Sequence, residues 1–146
     1  MPKAKFRSVS IYSFLVLVFT FALLTSAMAQ VNVVNAAHYW PSNHPSGNGG
    51  LVAPDGLASA FGVFKVAAGQ TSYSASNPYP TTLGGVKLNI GGVDAQLAFV
   101  GTGQINFVVP SNVPTGGTQT VTVTNADSTT TTGTVRIEKA MPGIFS

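Results

Sequence analysis

The stretch "VKLNIGGVDAQLAFVGTGQINFVVP", residues 86–110, decides the fold. Val86, Leu88 and Ile90 fall on one face of an extended chain, and Lys87 and Asn89 fall on the other. That period of two belongs to strands and not to helices. Gly91-Gly92 supplies the positive φ angles of a tight hairpin turn. Beyond the turn, Val93, Ala95, Leu97 and Phe99 resume the alternation. A further run, "QINFVV" (104–109), ends at Pro110, which has no N–H to continue a ladder.

The same pattern extends in both directions. "VNVVNAA" (31–37) and "LASAFGVFKV" (57–66) read as strands, with Gly62 marking a bulge or a close approach in the second. "TQTVTVTN" (118–125) and "TTGTVRIEKA" (131–140) read as a last hairpin around Ala126-Asp127-Ser128. In that hairpin Val121, Val123, Val135 and Ile137 face inward, while Thr120, Thr122, Arg136 and Glu138 face water. Residues 38–50 and 67–82 are long loops rich in turn formers. Short alternating strands with turns roughly every 8–12 residues predict an all-β, immunoglobulin-like β-sandwich of about seven strands. No helical period follows residue 29, and the chain has no cysteine from which to build an antibody-type framework.

The first 29 residues are of another kind. Lys3, Lys5 and Arg7 precede the apolar run Ile11–Leu24, and "TSAMAQ" then places Ala27 and Ala29 at the small-residue positions of a cleavage site. These are the parts of a secretory signal peptide, cleaved after Ala29. The run is shorter than the roughly 20 residues a spanning helix needs. No stable membrane span is therefore expected after cleavage. Residues 30–146 form the mature domain, secreted or displayed at the cell surface, with the periplasm as the alternative compartment. The net charge of +3 lies wholly in the signal, because four cations then face four anions in residues 30–146. A nucleic-acid partner needs a basic stripe on the folded domain, and none is encoded.

Several segments together resemble a known family. "VVNAA" (33–37), "YPTTLGGVKLNIGGVDAQLAFVGTGQINFVVPSNVPTGGTQTVTVTN" (79–125) and "MPGIF" (141–145) are similar, in this order, to the Solibacter-type uncharacterised C-terminal domain of secreted bacterial proteins. The resemblance implies an IPT/TIG-like immunoglobulin-like fold and no particular activity. Two departures stand out. "APDGLASAFGVFKVA" (53–67) replaces an Ala-Pro-Gly-Ser turn followed by an Ile-Phe-Gly strand, so residues 41–50 read as a loop of altered length. The family pattern also runs on beyond "PGIF". The domain is thus read as a short or truncated form whose Ile144 and Phe145 pack on the rim or stand exposed.

Catalytic and metal chemistry finds little support in the residues. Gly101-x-Gly103 lacks the third glycine and the following helix of a dinucleotide fingerprint. His38 and His44 have no local Cys, Asp or Glu to complete a metal set. Asn125 and Asp127 offer one carboxylate, too few for a calcium loop, and are read as stabilisers of a hairpin turn. The only acids for a glycosidase pair are Asp55, Asp94, Asp127 and Glu138. A non-enzyme without cofactor or metal follows, with a structural, adhesion or interaction role. Its partner is another protein chain or a surface polysaccharide. Tyr39, Trp40, Tyr73 and Tyr79 in or beside the long loops are the candidate ligand contacts, since aromatic rings with polar tips suit sugar stacking, although the favoured reading has Trp40 plugging one end of the sandwich, where a large aromatic gains by burial. Gln104, Asn106, Phe107 and Pro110 are read as a structural signature. Ile105, Phe107 and Val109 point into the core. Gln104 and Asn106 point the other way, either to a ligand or, the favoured reading, to loop backbone that lacks a ladder partner.

Overall fold

A computed structural model describes residues 30–37, 50–67 and 71–140. The signal segment, His38, Tyr39, Trp40, His44, Ile144 and Phe145 lie outside the described residues. The described chain is all-β. Its strands are β1 (Gln30–Asn35), β2 (Leu51–Val52), β3 (Leu57–Phe61), β4 (Ser72–Tyr73) and β5 (Lys87–Ile90), then β6 (Val93–Asp94), β7 (Gln96–Val100), β8 (Gln104–Val108), β9 (Gly117–Thr124) and β10 (Thr130–Ile137). Hydrogen bonds join them into one curled mixed sheet in the order β4-β7-β8-β3-β1-β10-β9-β5-β6, with β2 beside β10.

The sheet curls until its two ends meet in one run of chain. Val93 and Asp94 pair with Ile90 and Asn89 at one end of the order. Ala95 N–H then donates to Leu88 C=O at 2.9 Å. From Gln96 onward the same run pairs with β8 at the opposite end. The predicted hairpin at Gly91-Gly92 makes this reach achievable, and both glycines have positive φ, 57° and 92°.

β1 changes partner in a similar way. Residues 30–32 pair parallel with Thr132–Thr134 of β10, and residues 32–35 pair antiparallel with β3. The parallel ladder depends on Gly133. A Cβ at this position would stand 2.0 Å from Val31 C=O, inside contact with the neighbouring backbone.

The inner face is the core. Leu88, Ile90, Leu97, Ile105, Phe107 and Ile137 are all fully buried there, and Val121, Val123 and Val135 complete the face predicted for the last hairpin. Two expectations change. The strand predicted over 57–66 ends at Phe61, because the N–H groups of Gly62 and Phe64 donate to Gly103 and Thr102 in a loop and not to a strand. Gly62 is a close approach, with the Phe64 ring 2.9 Å from where its Cβ would be. The simple alternation through Phe99 also fails. The register shifts between Leu97, opposite Phe107, and Phe99, opposite Asn106. This β-bulge turns Phe99 to the outer face and sends Val100, fully buried, into the core.

Gly133→Ala is expected to cost about 3 kcal/mol or more, at or beyond the upper end of overpacking penalties, because backbone must move. Gly117→Ala, in β9 with nothing within 4 Å of a Cβ, should change stability little. Urea melts of the two variants check the contrast. Equal midpoints would mean that β1 is not held against β10 as described.

Candidate functional site

The outer face of β4, β7, β8, β3 and β1 is built by three transverse rows. Register places Asn32, Phe61 and Gln104 in one row and Leu57, Val108 and Gln96 in another. Between them run Val34, Ser59, Asn106, Phe99 and Tyr73. Directly paired residues share a face. The middle row is closed at its β1 end and open at its β4 end. Val34 is 2% exposed and Ser59 fully buried, whereas Asn106 and Phe99 are half-buried and Tyr73 is 76% exposed.

The two amides of the signature are held by side chains. Asn106 Oδ1 accepts from Ser59 Oγ at 2.9 Å and from Gln104 Nε2 at 2.6 Å. Among the described residues their side-chain partners are a cross-strand hydroxyl and each other. Much of the loop backbone they were expected to clamp, residues 38–49 and 68–70, lies outside the described residues. Phe107, fully buried, carries the core on the opposite face, and Pro110 follows the strand end. The glycines ahead of the run serve the β7–β8 turn. Gly101 N–H donates to Gln104 C=O at 2.8 Å, and Gly101 lies against the Phe99 ring, whose Cζ would be 3.0 Å from a Cβ.

Among the described residues, the amide that holds the backbone of a distant segment is Asn125. Asn125 is 5% exposed, and its Oδ1 accepts from Lys65 N–H at 3.0 Å while Nδ2 donates to Thr129 Oγ1 at 3.1 Å. Ala126 N–H donates to Lys65 C=O at 2.9 Å, so the β9–β10 turn grips the segment after β3 from both sides. Asp127 adds an ion pair with Lys65 Nζ and accepts from the Thr129 N–H and hydroxyl. The Lys65 ammonium first, and the two Thr129 donors after it, lower the Asp127 pKa from 3.8 to about 2. Ser128, at φ 66°, fills the left-handed position of this turn that a glycine usually occupies.

Of the candidate ligand aromatics, Tyr39 and Trp40 lie outside the described residues. Tyr73 stands on the outer face with its ring centroid 4.8 Å from that of Phe99, tilted by 48°. Tyr79, 38% exposed, lies further along the same edge segment, where Pro80 C=O accepts from Leu97 N–H. Sequence reasoning missed Phe99 as part of this face. Its signal is one extra residue between Leu97 and Val100 in an otherwise alternating strand.

Two hollows complete the surface. One of about 520 Å³ lies where β1 and β2 part company along β10, and is lined by Gln30, Asn32, Thr118, Thr134 and Arg136 among others. Among the described residues its lining has no carboxylate, and the Arg136 guanidinium is turned to Glu138 Oε1 at 2.9 Å. The other brings two of the four acids, Asp55 and Asp94, to one place beside Ser111 and Asn112. At about 160 Å³ it is smaller than the roughly 300–1,000 Å³ of ligand pockets. Asp94 already accepts from Asn89 Nδ2 at 2.9 Å. Among the described residues no three His, Cys, Asp or Glu side chains gather as metal ligands.

Asn106→Ala should cost about 1–3 kcal/mol by stranding the buried Ser59 hydroxyl. Adding Ser59→Ala removes the orphan, so the double variant should recover most of the loss in a urea melt. A double variant no better than Asn106→Ala would refute the pairing. Asp127 gives a pH signature. Its folded pKa is depressed, so its contribution is complete above the unfolded value near 4 and is lost as pH falls through about 2. The stability gap between wild type and Asp127→Asn should stay constant above pH 5 and close between about pH 4 and 2, as followed by thermal melts across that range. A gap that persists at pH 1.5 contradicts the ion-paired turn.

Compared with known proteins, the chain matches no family model, no curated protein and no solved structure.

Proposed function

We propose that this chain is a secreted, non-catalytic immunoglobulin-like module of the Solibacter-type domain family, with a structural, adhesion or interaction role at or outside the cell surface. In this reading the curled sheet works as a two-layered β-sandwich. One layer is β4, β7, β8, β3 and the second half of β1. The other is the first half of β1 with β10, β9, β5, β6 and β2. Support comes from the two places where the chain changes partner, within β1 and at Ala95.

The observation that carries the non-catalytic reading is the employment of the acids. Three of the chain's four carboxylates, Asp94, Asp127 and Glu138, accept hydrogen bonds from Asn89, Lys65 with Thr129, and Arg136. Each of these contacts fastens a turn or a strand of the fold. A general acid or base needs a group aimed at substrate. A polysaccharide partner is the second reading, favoured by the exposed Tyr73 ring beside outward amides.

Expression of the full chain in a bacterial host, followed by fractionation and intact-mass measurement, tests this proposal. The expected product lies outside the cytoplasm with a mass beginning at Gln30. A 146-residue product of 15.0 kDa retained in the cytoplasm overturns it.

A further inference from the structure

The amide pair and the displaced phenylalanine share one face, and neither has a purpose in the core. Phe99 leaves the inner face only because β7 bulges between Leu97 and Phe99. Bulges commonly re-aim a side chain at a functional surface. The ring it presents does not fill a hole. It lies beside Tyr73 on the adjacent strand, the ring centroids 4.8 Å apart and tilted by 48°, and that tyrosine stays 76% exposed. An exposed aromatic flanked by a second ring on the same face offers an apolar platform to a ligand.

Asn106 stands next in the same row. Two donors converge on its Oδ1, from Ser59 and Gln104, and this fixes the plane of the carboxamide. Its Nδ2 carries two hydrogens and donates to no other described residue. A planar, pre-oriented donor therefore lies beside a flat apolar ring on an open surface. The three rows of this face contain no Asp, Glu, Lys or Arg. The chemistry that fits is an uncharged ligand with apolar C–H faces and hydroxyl rims, that is, a neutral sugar. A charged peptide or an anionic polymer finds no counter-charge here.

We propose that the outer face of β4, β7 and β8 binds a neutral polysaccharide laid across the strands, with Tyr73 stacking on one sugar ring and Asn106 Nδ2 donating to a hydroxyl of another. Tyr73 and Asn106 are separated by two strand spacings, about 10 Å. One sugar ring does not bridge that span, so the site takes an oligosaccharide and discriminates against monosaccharides. Gln104 is a positioning residue that holds the Asn106 amide. This assignment rests on the polysaccharide reading of the module and narrows it to one face.

Affinity electrophoresis of the full chain through gels containing β-glucan, xyloglucan, xylan or galactomannan tests it, with the matching hexasaccharide and monosaccharide compared by calorimetry. Retardation by at least one polymer is expected, with the hexasaccharide binding and its monosaccharide not. Tyr73→Ala, at a position 76% exposed, should weaken binding about tenfold or more while thermal melts confirm a folded protein. Asn106→Gln should weaken it while thermal melts confirm a folded protein. Val63→Ala, 70% exposed and off these rows, should leave binding unchanged. No retardation by any of the four polymers overturns the proposal, as does binding that Tyr73→Ala leaves intact. Export is scored separately on the same cultures. An exported protein that binds no glycan defeats this inference alone, and a glycan-binding protein retained in the cytoplasm defeats the secreted-module reading alone.

Discussion

A β-sheet must do something with its last edge, because an unpaired strand leaves a row of backbone donors and acceptors open to any other chain. In this protein the run from Val93 to Val100 resolves the problem. Its first residues complete the β5 edge, and its last residues pair with β8 at the far end of the sheet order. The bond from Ala95 N–H to Leu88 C=O marks where one allegiance ends and the other begins. The inner faces of β5, β8 and β9 can then bury their Ile, Leu, Val and Phe side chains against one another. Among the described strands, β4 at the end of the order and β2 beside β10 stand outside this circuit, and each is only two residues long, so short an edge that it offers little to pair with.

The sequence disclosed those parts of this arrangement that are governed by neighbours. Gly91-Gly92 between alternating runs required a hairpin, and a hairpin is there. Thr-Val alternation on both sides of Ala126-Asp127-Ser128 required another, and β9 and β10 pair over their full length. What stayed hidden depends on partners far along the chain. Residues 62–66 have the composition of a strand, yet Lys65 is held by Asn125, sixty positions away. The two-residue strands β2, β4 and β6 have too few residues for any period to show. The parallel pairing of β1 with β10 joins opposite ends of the described chain, and only a glycine among threonines hints at it.

The site was half legible for a related reason. That "GQINF" placed amides on the face opposite Phe107 followed from alternation alone. What those amides touch did not follow, since Ser59 reaches Asn106 through a cross-strand register that no local pattern records. Among the described residues it is Asn125 that holds the backbone of a distant segment. Asn106 lies within a strand, where the ladder already satisfies the neighbouring backbone. Asn125 lies at a turn, where the docked segment has an N–H to spare.

The parallel β1–β10 ladder also determines how this fold answers a pull. Tension applied at Gln30 and beyond Ile137 draws the two strands in opposite directions along their shared axis. Parallel strands joined at their facing edges then carry the load as shear, with every bond between residues 30–32 and 132–134 strained together. An antiparallel terminal pair would instead peel one bond at a time. Tucked against Gly133, the Val31 backbone sits as a detent in that sliding direction. The join at the ends of the described fold therefore meets an end-to-end pull in shear and not by peeling.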